Sequence, residues 1–388
     1  MHVKKQLNLD IMKIYLICIV FTLYACSQKT DNEIFNYSLN DNVSFQKEIG
    51  LKEFARDIEY TKLEYKPECV IGDVNNLEVT KGYIFVSTID NDEFSLYQFN
   101  EKGEFVRKIG KHGRGPREYP DITDIEVNEN RIFVLSTTSK QILVYNFDGT
   151  FYKSIRIEKR VYDSFKYLGN GMFALQSGLY IDDVVLTEII DQQGNSINKL
   201  KSRVFNTPEE NFDGKLYNVV YQYGGEYFIK ESKNDTVYKI TGNALVPHFV
   251  YNLGKYKQPT ICSEREWYKY YVIYRIIETD DYIFTFFTHD NTGCIAKYDK
   301  NNGKVVISIP EDKLKYGIKN DFDNGHDFSI NLWTSHIANQ FEWLLPLSAD
   351  ELTDFVDSDN LSGNFKTLMD QFDPNDNPVI MKIKLKEK

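Results

Sequence analysis

The sequence predicts an all-β protein, a six-bladed β-propeller with a small helical insertion in its last blade. Two observations carry this expectation. The first is a repeat: IFVSTIDNDEFSLYQFNEKGEFVRKIG from Ile84, RIFVLSTTSKQILVYNFDGTFYKSI from Arg131 and GMFALQSGLYIDDVVLTEIIDQQGNSI from Gly171 share one layout. Each is a pair of strand-like runs, then a polar turn with a glycine, then a further strand. The glycines fall at Gly103, Gly149 and Gly194, 46 and 45 residues apart. A four-stranded sheet of about 45 residues cannot bury both faces alone, so such a period implies sheets stacked around an axis. The second observation is composition. With 27 Tyr, 26 Phe and only 10 prolines in 388 residues, the chain is rich in side chains that suit a pleated, half-buried surface.

The later units keep this layout with less regularity. GGEYFIKESKNDTVYKITGNALVPHFVYNLG places a turn at Gly242 and DDYIFTFFTHDNTGCIAKYDKNNGKVVISI places one at Gly303. The second of these steps is longer, so the fifth unit carries an insertion of about 15 residues relative to the period. A sixth blade is expected from three pieces: the segment after Asp321, the terminal strand PVIMKIKLK from Pro378, and the early strand DIEYTKLEY from Asp57. Joining both chain ends in one sheet closes the ring and removes free strand edges. The propeller is thus expected over residues 51–388. One passage within the last blade reads as helical: SADELTDFVDSDNLSGNFKTLMDQF, with Ser348 and Glu351 as a capping box. Leu352, Phe355 and Val356 share one helical face, and Phe365, Leu368, Met369 and Phe372 repeat at helical spacing. This excursion is expected to lie against the side or bottom of the ring.

The N-terminus reads as an export signal. Lys13 precedes the apolar run Ile14 to Ala25, too short to span a bilayer comfortably, and Cys26 follows. Leu23-Tyr24-Ala25-Cys26 resembles the bacterial lipobox, whose cysteine receives diacylglycerol and becomes the mature N-terminus. Residues 1–26 are therefore expected to be a lipoprotein signal ending at the lipid-attachment residue Cys26. With Met12 directly before Lys13, MKIYLICIVFTLYAC is by itself a signal of ordinary length. Residues 27–50 are polar at first and poor in core formers, and are expected to form a flexible tether. The run Gln28 to Glu33 loosely resembles acidic tags of surface lipoproteins. Placement in the cell envelope, anchored by lipid to the periplasmic or outer face of the outer membrane, follows as an expectation.

A formal net charge of −11 argues against nucleic-acid partners, since phosphate neutralisation needs a basic face. Of five cysteines, Cys69, Cys262 and Cys294 remain after the leader, and none has zinc or redox-motif spacing. At least one is an unpaired thiol, and both Cys69–Cys262 and Cys262–Cys294 disulfides are compatible with the sequence.

The stretch GKHGRGPREYPDITDIEV, Gly110 to Val127, lies between the last strand of one blade and the first of the next. Its GKxGxGPxEY turn resembles that of the six-bladed β-propeller lipoproteins of Gram-negative bacteria, relatives of the NHL-repeat propellers. LKEFARDIEYTKLEY, the segment from Arg265 and the tail DPNDNPVIMKIKLK fit the same resemblance. Arg117 departs from it, standing where the family usually has glycine. The resemblance implies a fold, lipid anchoring and an extracytoplasmic role, and little chemistry. The turn is not a nucleotide loop, because a strand follows where a phosphate cradle needs a helix.

Three regions supply candidate ligand contacts. In the glycine-rich turn these are His112 and Arg114. In the fifth-blade insertion, Ser263 and Glu266 form a capping box for a short helix over Glu264 to Lys269, and Trp267, Tyr268, Tyr270 and Tyr271 form an aromatic group. Arg275 and His289 follow in the same blade. In the sixth-blade region DFDNGHDFSINLWTSHIANQ, His326, Trp333 and His336 stand out. Asp321, Asp323 and Asp327 miss the calcium-loop pattern, Gly325 falling one place early. HExxH and GxSxG are absent from the sequence. No metal and no cofactor is expected. Of two functional readings, the favoured one is a monomeric, non-enzymatic binding module for a glycan, a peptide or an envelope protein. The other is a propeller lyase or hydrolase acting on a polysaccharide or lactone, which would require His, Arg and carboxylates to converge on the axis.

Overall fold

A computed structural model describes residues 34–386 except 42, 47, 129, 158–161, 178–183, 206–217, 261, 263, 310–316, 330–340 and 357. The proposed leader with Cys26, and the candidates Trp333 and His336, lie outside the described residues.

The chain forms six antiparallel blades in a ring, as the repeat predicts. Three N-terminal strands come first: β1 (Phe35–Ser38), β2 (Val43–Gln46) and β3 (Ala55–Lys62). Blade 1 is β4 (Asp73–Thr80), β5 (Tyr83–Asp90), β6 (Glu93–Asn100) and β7 (Phe105–Lys108). Blade 2 is β8 (Asp124–Val127), β9 (Arg131–Ser136), β10 (Gln141–Asn146) and β11 (Phe151–Arg156). Blade 3 is β12 (Ser164–Gly169), β13 (Met172–Gln176), β14 (Val185–Ile190) and β15 (Ser196–Lys201). Blade 4 is β16 (Val219–Tyr223), β17 (Glu226–Lys230), β18 (Thr236–Ile240) and β19 (Leu245–Asn252), and blade 5 is β20 (Val272–Glu278), β21 (Tyr282–His289), β22 (Thr292–Asp299) and β23 (Val305–Ser308). In blade 6, β24 (Glu342–Leu347) pairs with β25 (Val379–Leu385), which pairs with β3. The first strand of each of blades 1 to 5 lies innermost, where β4 meets β8, β8 meets β12 and β16 meets β20.

The expected closure is present: the early strand β3 forms the outer edge of the blade that holds the C-terminal strand. The stretch expected to be tether corrects the sequence reading. β1 adds to the edge of blade 4 beside β19, and β2 pairs in parallel with β23 of blade 5. Residues 35–62 therefore stitch onto three consecutive blades. Tyr37 shows why a polar-looking segment can do this. It is fully buried, its ring 5.0 Å from Tyr251 of blade 4 and 4.8 Å from Tyr298 of blade 5.

The core sits between blades rather than within them. Phe85 and Leu96 of blade 1 pack with Ile132 and Leu143 of blade 2, and Phe133 and Val144 of blade 2 pack with Phe165 and Phe173 of blade 3. Leu77 and Val86 of blade 1 meet Leu344 and Ile380 of blade 6, which seals the ring. The repeated turn glycines mark the same contacts. Gly103, Gly149 and Gly194 have φ of +82°, +85° and +88°, a region that glycine enters without steric cost. A Cβ on Gly103 would fall on the Lys62 carbonyl of blade 6, and one on Gly194 on the Arg156 carbonyl of blade 2. The period in the sequence is thus a period of blade-to-blade docking. Gly303 shares the φ, at +70°, but has open space around it.

Two helices interrupt blade 6 where the pattern places them: α1 (Ala349–Thr353) and α2 (Gly363–Met369). The Ser348 and Glu351 capping box forms, with Glu351 N donating to Ser348 Oγ at 3.2 Å and Ser348 N donating to Glu351 Oε2 at 2.8 Å. α2 lies against β3 on the side of the ring, buries Phe365 against Tyr60, and takes a bond from Asn364 Nδ2 to the Ile58 carbonyl. Val356, expected on the packed face, is exposed instead; it lies beyond the end of the first helix, as does Phe355, which stays packed on the core. Cys69, Cys262 and Cys294 are all buried free thiols, so neither sequence-compatible disulfide forms.

Candidate functional site

Along the axis runs a cavity of about 1010 Å³, walled by the innermost strands β4, β8, β12, β16 and β20 and by part of β17 and β18. It reaches the hairpin turns at Asn128, Gly169, Gly225 and Gly242. Inner strands of a propeller show their edges to the axis, so polar side chains there face a channel rather than a dry core. This explains how Glu78, Asp124, Glu126 and Lys166 occupy strands whose neighbours are apolar.

These groups form one cluster. Lys166 Nζ of blade 3 lies 2.8 Å from Glu126 Oε2 of blade 2, and Tyr227 OH of blade 4 donates to Glu126 Oε1 at 2.7 Å. Asp124 accepts from Phe165 N at 3.0 Å and from Ile125 N at 2.9 Å. Burial and the neighbouring Glu126 charge push the Glu78 carboxyl up to about 8. Burial likewise raises Asp124 to about 6, against the pull of Lys166. For Lys166 burial works against the charge, but Glu126, Asp124 and Glu78 outweigh it and hold the ammonium well above its usual range. Burial, then Glu126, also keeps the Tyr227 phenol protonated far beyond its usual range. At neutral pH the cluster therefore holds a protonated carboxyl, Glu78, within the field of an ion pair. Across the ring, Arg275 of blade 5 lines the same cavity, and burial lowers its pKa.

A second polar group joins blades 4 and 5. Glu278, 1 % exposed, accepts from Tyr221 OH at 2.7 Å and pairs with His248 Nε2 at 3.0 Å and Lys300 Nζ at 2.7 Å. Burial alone would raise Glu278, but His248 and Lys300 more than offset it and draw the carboxyl below its usual range. With Tyr221 on the inner strand and His248 on the outer one, this group welds the two sheets.

Of the described candidates read from the sequence, only Arg275 lines the cavity. The other described ones fall in blade-to-blade connections or at the end of a second strand, at the opposite end of the blades from the turns the cavity reaches. His112 Nδ1 accepts from Phe94 N at 2.9 Å and its ring stacks on Phe94, which pins the glycine-rich turn to β6. Arg114 is exposed in that turn. The turn is closed on itself through Gly113 N to the Tyr119 carbonyl and Gly115 N to Glu118 Oε2. At the departure Arg117, the carbonyl accepts from Tyr145 OH at 3.3 Å. Trp267 lies in a 3-10 helix over Glu264–Lys269, where a short helix is expected, while Ser263 of the expected capping box lies outside the described residues. His289 sits edge-on to Tyr256 and Tyr271, so the aromatic insertion packs onto the blade beneath it, and burial lowers the imidazole pKa. His326 Nδ1 lies 2.6 Å from the Asp327 carbonyl oxygen, its ring near Phe355. The neighbouring acids are absorbed by the loop. Asp323 Oδ1 accepts from Asn320 Nδ2, Gly325 N and Tyr60 OH, and Gly325 makes room for the Phe365 ring, 2.5 Å from where a Cβ would stand.

Sequence reasoning missed the axial cluster. A signal existed: Glu78 and Glu126 hold the same register in successive blades, opposite Phe85 and Phe133. An acid recurring at one position of the innermost strand marks the channel wall.

The fold and this cavity define the class, a six-bladed β-propeller with a charged axial cavity. A family model matches residues 34–384, and the chain belongs to that family, described as a domain of unknown function, DUF4934. Among solved structures, the chain is similar to a Bacteroides fragilis protein predicted to be exported, at 18% identity and a TM-score of 0.70, covering 91% of this chain and 100% of that one. It is also similar to a member of the DUF4221 family from Bacteroides vulgatus, at 9% identity and a TM-score of 0.54, covering 86% and 98%. At such identities these likenesses establish the fold. No curated protein matches the sequence.

Proposed function

We propose that this protein is a monomeric, lipid-anchored propeller of the cell envelope that binds its ligand in the axial cavity. The cavity carries the reading. It stands at the upper end of the range that holds small-molecule ligands, about 300–1,000 Å³, and its wall offers amides, tyrosines and a self-paired charge cluster. The envelope location rests on the leader ending at Cys26 and on the predicted export of the Bacteroides fragilis protein. Fatty-acid labelling tests the anchor, with incorporation expected in the wild type and lost in Cys26→Ala.

Glycan and peptide arrays probed with wild type and Gln222→Trp test the cavity. Gln222 is an exposed residue of its wall, and an indole there narrows the space without touching the core. A ligand held by the wild type and lost by the variant supports the reading. Equal retention of every captured ligand overturns it.

One observation favours the enzymatic alternative, a lyase or hydrolase. Glu78 is a carboxyl kept protonated near neutral pH beside a second carboxylate, an arrangement suited to general acid catalysis. Turnover of a captured ligand, abolished in Glu78→Gln, would establish it. Binding without turnover leaves the cavity a recognition site.

A further inference from the structure

The cavity wall carries its acid cluster on one side of the ring and Arg275 on the other. Glu78 stands on blade 1 and Asp124 and Glu126 on blade 2, with Lys166 of blade 3 paired to Glu126; Glu226 and Lys239 of blade 4 pair with each other, and Arg275 stands on blade 5. In a ring of six, blades 2 and 5 are opposite. Glu126 is already engaged by Lys166 and Tyr227. Glu78 differs: among the described residues no hydrogen bond is found to its carboxyl, and Lys166 acts on it through charge alone. Between the acid cluster and Arg275 the wall presents the exposed side-chain amide of Gln222, which can both donate to and accept from peptide groups, while Asn76 bonds Ser87 Oγ and Asn218 bonds the Ser177 carbonyl and Ser232 N. A cavity of 1010 Å³ is larger than a single amino acid requires and fits a short chain of them.

We propose that the axial cavity recognises both charged ends of a short peptide, the ammonium at Glu78 beside Glu126 and the carboxylate at Arg275. This deepens the cavity-binding reading and rests on it. Glu78 supplies an acceptor for the ammonium in a site where charge-assisted bonds are strong. Arg275 supplies a planar fork of donors matched to a carboxylate. The site also predicts proton release. In the free protein Glu78 is held protonated up to about 8 by burial and by Glu126 and Asp124, against Lys166, and Tyr227 completes the groups around it. A bound ammonium favours the ionised carboxylate, so Glu78 loses its proton on binding near neutral pH. Affinity rises toward pH 8 and falls above it as the peptide amine itself deprotonates.

Isothermal titration of the full-length protein in detergent, with Ala-Ala-Ala and Ala-Tyr-Ala, tests this. Each peptide is compared with its N-acetylated and its C-amidated form, in buffers of different ionisation enthalpy. At least one free peptide is expected to bind with proton release, and blocking either end should weaken it about tenfold or more. Glu78→Gln should remove the proton release and the penalty for acetylation, and Arg275→Gln the penalty for amidation. Modified peptides probe the wild type, so the test survives a variant that fails to fold. Equal binding of blocked and free peptides, or binding of neither free peptide, overturns the proposal. A ligand of another class that Gln222→Trp fails to bind would leave the cavity reading intact in that event.

Discussion

The turn glycines allow the docking account to be tested quantitatively. Gly194→Ala and Gly303→Ala impose the same backbone strain, since both turns have φ near +70° to +90°. An alanine in the left-handed region costs about 1–2 kcal/mol, partly offset by about 0.4–1 kcal/mol from the stiffer unfolded chain. Gly194 carries a further cost that Gly303 does not. Its new methyl would collide with the Arg156 carbonyl of the preceding blade, whereas a methyl on Gly303 would meet nothing within 4 Å beyond its own chain neighbours. Forcing a methyl into packed surroundings costs typically about 1–3 kcal/mol. We therefore expect Gly194→Ala to lose about 2–4 kcal/mol and Gly303→Ala about 1 kcal/mol or less. Gly103→Ala should resemble Gly194→Ala, because it meets the Lys62 carbonyl where the ring closes. Urea unfolding followed by tryptophan fluorescence gives the midpoints. Equal losses at positions 194 and 303 would refute the claim that the repeat glycine serves blade contact and would leave only turn geometry.

Tyr37→Ala should lower stability by about 3–5 kcal/mol, since its buried ring bridges blades 4 and 5; an unchanged melting temperature would show that the N-terminal strands are not part of the ring's core. Glu278 is drawn below the ordinary glutamate value when folded, so the stability it contributes is present above that value and is lost as pH falls through the lower folded one. The acid limb of a stability-versus-pH curve should flatten in Glu278→Gln. Glu78 acts in the opposite sense: its folded value is raised to about 8, so stability declines as pH rises from about 4.3 toward 8. That decline should shrink in Glu78→Gln, and an unaltered slope measured by thermal unfolding would remove Glu78 as its source.

The repeat was legible because each blade must solve the same local problem: a set of short strands, tight turns and one glycine where the preceding sheet docks. The helices were legible for a similar reason, since Ser348 and Glu351 satisfy each other within four residues. The strands β1 and β2 were not, because FNYS and VSFQ alternate apolar and polar residues over only four positions each and stand among polar neighbours. They become strands by hydrogen bonding to edges that exist only once blades 4 and 5 are built.

The site shows the same division. His112, Trp267 and His289 stand out in a sequence because histidine and tryptophan are rare, yet His112 and His289 are engaged in packing their own turn or insertion and Trp267 lies in the short helix of that insertion. Glu78, Glu126, Lys166 and Tyr227 are ordinary residues that come from four different blades, the outermost two 149 positions apart in the sequence. The sequence alone determined the architecture, since strand periodicity and turn glycines are local and repeat. The cluster came only with ring closure, which brings separate innermost strands to one axis and there replaces water with opposing charges.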